Sequence, residues 1–183
     1  MQRLRIACGM AAVVCGGLMM FGGARAHAQA EQQPITTTPE VLNLDELAQR
    51  GKALLDKARE GSGSAGITLA RYDGHYTMLT ARTASGGAEL HEHWSDFLIV
   101  VDGEGTEMTG GTIVDRKEGA NGEVRGKTLE GATPHPLHKG DVIHIPAGTP
   151  HQSIEAPGQT ITIFVIKVET SAAAAATNTA AGR

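Results

Sequence analysis

Two scarcities in the sequence narrow the range of functions before any motif is considered. Aromatic residues make up 3% of the 183 residues, with one Trp, two Tyr and three Phe. That is few for a protein that binds single strands or sugars mainly by stacking. Basic residues number 16 against 20 acidic ones, whereas nucleic-acid-binding domains normally carry a basic excess. We therefore expect no nucleic-acid partner.

Cysteine is also scarce, and both copies lie near the N-terminus. Cys8 and Cys15 fall in a segment where two arginines precede an uncharged apolar run over residues 6–23. The A-x-A pattern that ends at Ala28 follows. This order predicts a secretory signal peptide over residues 1–28, cleaved after Ala28, and a periplasmic or secreted product. The alternative is a retained membrane helix, for which the glycine-rich run is only marginally long.

Cleavage after Ala28 would change the chemistry open to the chain. The mature protein would have no cysteine, and hence no disulfide and no thiolate metal ligand. It would be more acidic than the full chain, whose net charge is −4, because three arginines leave with the peptide. We expect no membrane partner after cleavage. No Arg-Arg pair precedes the apolar run, which favours export of the unfolded chain, so any metal would be acquired outside the cytosol.

One helix and a tail flank the central part of the chain. Residues 29–38 are polar and predict a linker, and residues 39–61 predict a helix with Pro39 in its first turn and Gly61 at its end. Gly51 inside that helix costs about 1 kcal/mol relative to alanine. The helix either packs outside the main domain or forms a dimer arm. Residues 170–183 are rich in Ala and Thr and predict a disordered tail.

Residues 66–169 consist of short β-like runs separated by Gly, Asp-Gly and Asn-Gly. Many short strands with closely spaced turn signals predict an all-β barrel or sandwich. One predicted strand covers Glu89–Trp94, with a tight turn at Trp94-Ser95 before the next. Asn121-Gly122 predicts the tip of a hairpin arm that projects from the body.

Seven histidines lie beyond the predicted cleavage site, and three of them carry the functional signal. His91 and His93 are two apart in one predicted strand, so both should face the same side, with Glu89. Asp96 follows shortly, and His151 comes after a Gly-Thr-Pro turn. Imidazoles with a carboxylate are the donor set of a divalent transition metal such as Zn, Mn, Fe, Ni, Co or Cu. The alternative is histidines that merely pack or face solvent.

These residues lie in two motifs that resemble those of the cupin superfamily. The first is His91-x-His93-x2-Asp96-x6-Gly103, and the second is Gly140-x5-Pro146-x-Gly148-x2-His151. The resemblance covers roughly residues 66–169. It implies a single antiparallel jelly-roll β-barrel with an N-terminal helix, and a metal held inside by His91, His93, Asp96 and His151.

The first motif departs from the family pattern in one respect. Cupins usually have three or four residues between the second histidine and a glutamate, but only two separate His93 from Asp96 here. Three alternatives are therefore open: Asp96 is a direct ligand, Asp96 binds through a water, or the site consists of three histidines with water. Glu89 is a weak candidate for a catalytic acid or base, or for a partner that orients an imidazole.

The remaining histidines are weaker candidates. His144 either faces the cavity or packs, and at most one of His75 and Tyr76 lines a cavity, because they are adjacent in a strand. His135 and His138 lie in a proline-rich segment that predicts a solvated loop.

Three functions remain open at this point. The first is a metal-dependent enzyme that acts on a small organic substrate, with dioxygenase, isomerase and decarboxylase chemistry all compatible with the resemblance. The second is a non-catalytic cupin that binds or senses a metal or small ligand. The third is a structural protein whose histidines have lost their role. A homodimer is compatible with each of them, since single-domain cupins often pair.

Overall fold

The computed structural model describes residues 34–170, so the predicted signal peptide, residues 29–33 of the predicted linker and residues 171–183 lie outside it. Within these residues one α-helix, α1, precedes twelve strands. In chain order the elements are α1 (Leu44–Glu60), β1 (Ser64–Tyr72), β2 (His75–Arg82), β3 (Ala88–His91), β4 (Trp94–Thr109), β5 (Thr112–Val114), β6 (Lys117–Glu118), β7 (Glu123–Gly126), β8 (Thr128–Glu130), β9 (Thr133–His138), β10 (Val142–Ile145), β11 (His151–Ile154) and β12 (Ile161–Glu169).

The long strand β4 belongs to both layers of the barrel. Its first half pairs with β12 and β10, and β2 and β1 continue that layer beyond β12. Its second half pairs with β11 and β9, and β3, β7 and β6 continue the other layer. We call these layers sheet A and sheet B. All pairings between the named strands are antiparallel, which confirms the predicted all-β jelly roll with an N-terminal helix.

Gly103 marks the point where β4 passes from sheet A to sheet B. Its φ of +79° lies in the left-handed region, which side chains other than glycine rarely adopt. A Cβ at this position would stand 2.0 Å from the carbonyl oxygen of Thr160. Both facts require glycine here, so β4 turns from one sheet into the other beside β12.

Apolar side chains fill the barrel and cover its outer faces. The interior cluster comprises Leu98, Val100, Leu137, Ile145, Ile161, Ile163 and Val165. A second cluster joins Leu47 and Leu54 of α1 to the outer face of sheet A, where Leu79 is fully buried. A third lies under the β5–β8 pair, on sheet B. The helix therefore packs on the outside of the main domain, as one of the two sequence interpretations held.

The helix begins at Leu44 rather than at Pro39. The side chain of Asn43 accepts hydrogen bonds from the backbone N–H groups of Asp45 and Glu46, which is the usual chemistry of an N-cap. Gly51 also has a packing role that the sequence did not reveal. A Cβ at Gly51 would stand 2.4 Å from Cγ2 of Thr162 in β12, so glycine lets the helix approach the sheet.

Two predicted loop features differ in the structure. The segment containing His135 and His138 is not a loop but strand β9, which pairs with β4. Asn121-Gly122 does form a turn, with both residues at positive φ. This turn does not project from the body, because the carbonyl oxygen of Gly122 accepts a hydrogen bond from the N–H of Glu92 (2.9 Å).

Within residues 34–170, no helix is both long enough and apolar enough to cross a bilayer.

Substitution of Gly51 by alanine tests the close approach of α1 to β12. On an exposed helix this change would stabilise by about 1 kcal/mol. Here the added methyl group meets Thr162, so we expect the free energy of unfolding to fall by about 1–3 kcal/mol, measured by chemical denaturation. Lys52→Ala on the exposed face is the control, with an expected change within about 0.5 kcal/mol. A stabilised Gly51→Ala variant would contradict this packing.

Candidate metal centre

Strands β3 and β11 bring three metal-ligating side chains together inside the barrel. Glu89 and His151 are direct partners in the β3–β11 pairing, and His91 ends β3. The N–H of Gly148 donates to the carbonyl oxygen of His91 (2.8 Å), which holds the turn before β11 against β3. One potential ligand atom from each of the three side chains lies within 4.8 Å of the others. They line a cavity of about 620 Å³.

Hydrogen bonds fix the orientation of both imidazoles. Nδ1 of His91 donates to the carboxylate oxygens of Glu123 at 2.8 and 2.9 Å. Nδ1 of His151 donates to the backbone carbonyl of Thr149 at 3.0 Å. Because each acceptor requires a proton on Nδ1, each neutral ring keeps a lone pair on Nε2. Carboxylate and carbonyl partners of this kind are typical behind metal-bound histidines.

Both Nε2 atoms face the same group of carboxylate oxygens. Nε2 of His91 lies 3.5 Å from Oε2 of Glu89 and 3.6 Å from Oδ2 of Asp96. Nε2 of His151 lies 3.7 Å from the same Asp96 oxygen. These separations are long for hydrogen bonds but suit atoms that share one ion at about 2.0–2.2 Å. Two buried histidines and a carboxylate therefore fit a divalent transition metal.

The electrostatics keep the donors in their metal-binding forms. Burial, followed by the charge of Lys167, lowers the pKa of His91 to about 4, although Asp96 opposes this shift. Burial alone would raise the pKa of Glu89, but Arg125, His151 and His91 outweigh it and lower that pKa. At neutral pH the site therefore presents a neutral imidazole beside an ionised carboxylate.

Asp96 reaches the cluster but already has a partner. Its side chain is 5% exposed, and both of its oxygens accept from Nζ of Lys167, at 2.6 and 2.7 Å. Lys167 lies on β12 directly opposite Asp96 in the strand register. Of the four predicted ligands, the structure brings His91, Asp96 and His151 together, with Asp96 neutralised by an ammonium group.

His93, the fourth predicted ligand, lies outside the cluster and is exposed. The expected alternation along Glu89–Trp94 is wrong, because β3 ends at His91 and a bend at residues 92 and 93 precedes β4. The turn is therefore not at Trp94-Ser95. Reading the first motif two residues earlier, as Glu89-x-His91-x4-Asp96, restores four residues before the acid. Glu89 thereby takes the place of the first histidine.

The other sequence candidates divide between the cavity and the surface. The side chain of Tyr76 lines the cavity, whereas His75 stacks on Tyr72 outside it. The ring of His144 stacks on Phe97 and is exposed. Nε2 of His135 bonds the hydroxyl of Thr109, and His138 lies beside Asp141 at the surface.

Sequence reasoning missed Glu123 and Arg125, which hold the donors in place. Glu123 is the direct partner of His91 in the β3–β7 pairing, and Arg125 is the partner of Glu89. The guanidinium of Arg125 binds the carboxylates of both Glu89 and Glu123. What identifies these two residues is the register between β3 and β7, which are more than 30 residues apart. The local spacing of residues along the sequence does not reveal that register.

Two further buried carboxyl groups, those of Glu107 and Glu155, lie outside the candidate ligand cluster. Glu107 is 2% exposed, and its Oε2 accepts from the hydroxyl of Ser153 at 2.7 Å. Its other oxygen, and both oxygens of Glu155, have no hydrogen-bond partner among residues 34–170. Burial raises the pKa of each carboxyl to about 7, although the charge of Arg82 opposes the rise.

Comparison with known proteins supports the fold rather than a particular activity. No family model and no curated protein sequence matches the chain. Among solved structures, a protein from Bacillus halodurans is similar with a TM-score of 0.51 and 20% identity, over 74% of this chain and 84% of that one. At this identity the likeness concerns the fold alone. The fold is a cupin barrel.

Two further similarities to solved structures are weaker. A protein from Thermus thermophilus gives a TM-score of 0.49 at 16% identity, over 72% of this chain and 98% of that one. The Schizosaccharomyces pombe Cnp3 cupin domain gives 0.45 at 9% identity, over 58% of this chain. The match covers 65% of the Cnp3 chain, just under two thirds of its length.

Glu107→Gln tests the buried acid through the pH dependence of stability. A carboxyl whose pKa is about 7 in the folded protein, against 4.5 for an unperturbed glutamate, binds more protons when folded. Its stabilising contribution is thus complete below pH 4.5 and is lost as the pH rises through 7. Between pH 4.5 and 8 we expect the free energy of unfolding of Glu107→Gln to rise, relative to that of the parent, by on the order of 3 kcal/mol.

Chemical denaturation of metal-free protein at several pH values measures this difference. Glu130→Gln at an exposed position is the control, and it should follow the parent at every pH. A constant difference between Glu107→Gln and the parent across this range would show that Glu107 is ionised throughout.

Proposed function

We propose that the chain binds one divalent transition-metal ion through Glu89, His91 and His151 and is a metal-dependent enzyme for a small organic substrate. The observation that carries this proposal is the convergence of two Nε2 lone pairs and a carboxylate at one point of the barrel cavity. Each imidazole is fixed from behind by an acceptor. Such preorganisation is expected of a metal centre and has no evident use in a purely structural barrel.

Three protein ligands leave coordination positions for water and substrate. A metal bound there would act as a Lewis acid that polarises a bound oxygen or acidifies a bound water. The chain itself supplies the surroundings: Arg125 holds Glu89 in place, and the Lys167–Asp96 pair lies beside the donors. Burial, followed by the charges of Asp96 and Glu123, raises the pKa of Tyr76 to about 12, so its hydroxyl stays protonated and can donate to a ligand.

The donor set limits the metal to divalent transition ions but does not select one of them. Two histidines and one carboxylate with open positions are typical of non-haem Fe(II) centres, and the same donors bind Zn, Mn, Co, Ni and Cu. Affinity order favours copper or zinc where they are available. With export through the predicted signal peptide, the protein would meet its metal outside the cytosol, in the periplasm or medium. We propose zinc as the ion found on isolation.

Alanine variants of three histidines test the proposed ligand set, with His93 as the matched control for His91. His91→Ala and His151→Ala should each lose the metal, because each removes a converging lone pair. His93→Ala should keep it, because His93 lies on the bend outside the cluster. Elemental analysis of the mature protein, loaded with Zn²⁺ and passed through a desalting column, measures the metal per chain. We expect about one equivalent in the parent and in His93→Ala.

Circular dichroism of each variant controls for loss of the fold.

Asp96→Ala should weaken metal binding less than His91→Ala or His151→Ala does, since both Asp96 oxygens already bind Lys167. Metal retained by His151→Ala, or lost from His93→Ala alone, would contradict the proposed ligand set. One equivalent of metal without turnover of any substrate would favour the non-catalytic binding module.

Glu123→Gln tests the partner behind His91. Glutamine keeps the shape but removes the charge that holds the Nδ1 proton, so the metal affinity should fall by about 10–100-fold. Competition against a chromophoric zinc chelator measures that affinity. Glu118→Gln, on the exposed neighbouring strand, is the control and should bind zinc like the parent. An unchanged affinity in Glu123→Gln would mean that His91 needs no such support.

A further inference from the structure

Arg82 differs from the other cations in the cavity. It ends β2 and its side chain lines the cavity together with Glu89, Gln152 and Ser153. Arg125 binds Glu89 and Glu123, and Lys167 binds Asp96. Within residues 34–170, by contrast, the Arg82 guanidinium has no hydrogen bond and no ion pair. A guanidinium offers five N–H donors, so an unbonded one in a cavity is a binding group without its acceptor.

The Arg82 guanidinium lies beside Gly86, in the loop that follows β2. A Cβ at Gly86 would stand 2.5 Å from Nη1 of Arg82, so the guanidinium lies against the backbone of the loop that follows β2. That loop is tied to the barrel, because Nε2 of Gln152 donates to the carbonyl oxygen of Gly86 at 2.8 Å. The carboxyls of Glu107 and Glu155 interact with the charge of Arg82 but do not line the cavity.

The charges that line the cavity balance without a ligand or metal. Among the described residues, Arg82, Arg125 and Lys167 face Glu89, Asp96 and Glu123. A divalent ion at the proposed centre would add two positive charges that no further carboxylate in the lining offsets. An excess of positive charge in the cavity favours an anionic ligand.

The rest of the cavity wall sets the character of that ligand. Met78, Leu98, Ile163 and Val165 form an apolar side. Tyr76 is the single Phe, Tyr or Trp residue in the described lining, so the wall offers little for stacking. A short aliphatic chain suits this surface, and a cavity of about 620 Å³ has room for one.

We propose that the ligand of this site is a short aliphatic carboxylic acid whose carboxylate binds Arg82, with a second oxygen-bearing group directed to the metal. This inference rests on the proposed function, since it names the substrate class of that centre. A planar guanidinium matches a carboxylate through two parallel N–H···O bonds. The one unbonded cation of the cavity thereby gains the acceptor that the described part of the protein does not supply.

Titration calorimetry with defined acids tests this proposal. The probes are pyruvate, malonate and succinate, with succinamide as the neutral match for succinate. The protein is the mature chain loaded with one equivalent of Zn²⁺, and its zinc content is measured again after each titration. We expect at least one acid to bind, and succinamide to bind more weakly than succinate by at least about tenfold.

Variants at Arg82 localise the binding. Arg82→Gln should weaken the binding of the acids at least about tenfold while the zinc content stays at one equivalent. The affinity of Arg82→Lys for the acids should lie between those of the parent and of Arg82→Gln, because lysine keeps the charge but not the planar arrangement of donors. Arg59→Gln, at an exposed position on α1, is the control. The difference between Arg82→Gln and the parent should persist in metal-free protein, because Arg82 binds the carboxylate directly.

The outcomes separate this inference from the proposed metal centre. Parent protein that holds no zinc contradicts the metal centre, whatever it binds. Zinc-loaded parent that binds none of the three acids, or that binds succinamide as tightly as succinate, overturns the carboxylate proposal alone. The carboxylate proposal is also overturned if Arg82→Gln binds the acids as tightly as the parent does. If Arg82→Gln does not fold, the comparison of succinate with succinamide on the parent decides.

Discussion

The passage of β4 through both sheets is the constraint on which the rest of the barrel depends. One strand supplies neighbours to β12 and β10 in its first half and to β11 and β9 in its second. It can do so only because Gly103 turns the backbone where any Cβ would strike the carbonyl of Thr160. The same turn places Asp96 on one sheet opposite the histidines on the other, and the cavity lies between them.

The fold was predictable because its signals are local. Glycines at turns, short alternating runs and the spacing of the second motif all act within a few residues of each other, and the structure has the expected antiparallel jelly roll. His151 follows its turn directly, so its inward position needed no long-range information. The helix was also predictable from Pro39 and Gly61 near its ends. Its start was not, because the cap is Asn43, whose side chain accepts from the N–H groups of Asp45 and Glu46.

The site was predictable only in part, because its geometry depends on register. His91 and His93 are equivalent in a regular strand, and a bend of two residues decides between them. Glu123, Arg125 and Lys167 act across strand pairs whose alignment no local pattern fixes. The role of Gly51 also depends on a long-range contact. Glycine destabilises an isolated helix, but in the folded protein Thr162 packs so close to Gly51 that a larger residue does not fit.

The proposed ligands Glu89, His91 and His151 all belong to sheet B, on β3 and β11. The apolar side of the cavity, with Met78, Ile163 and Val165, belongs to sheet A. Coordination geometry and cavity width are therefore set by different layers of the molecule. A substitution among the apolar side chains of sheet A would therefore change the room for a small ligand while the three candidate metal-binding side chains on sheet B stay in place.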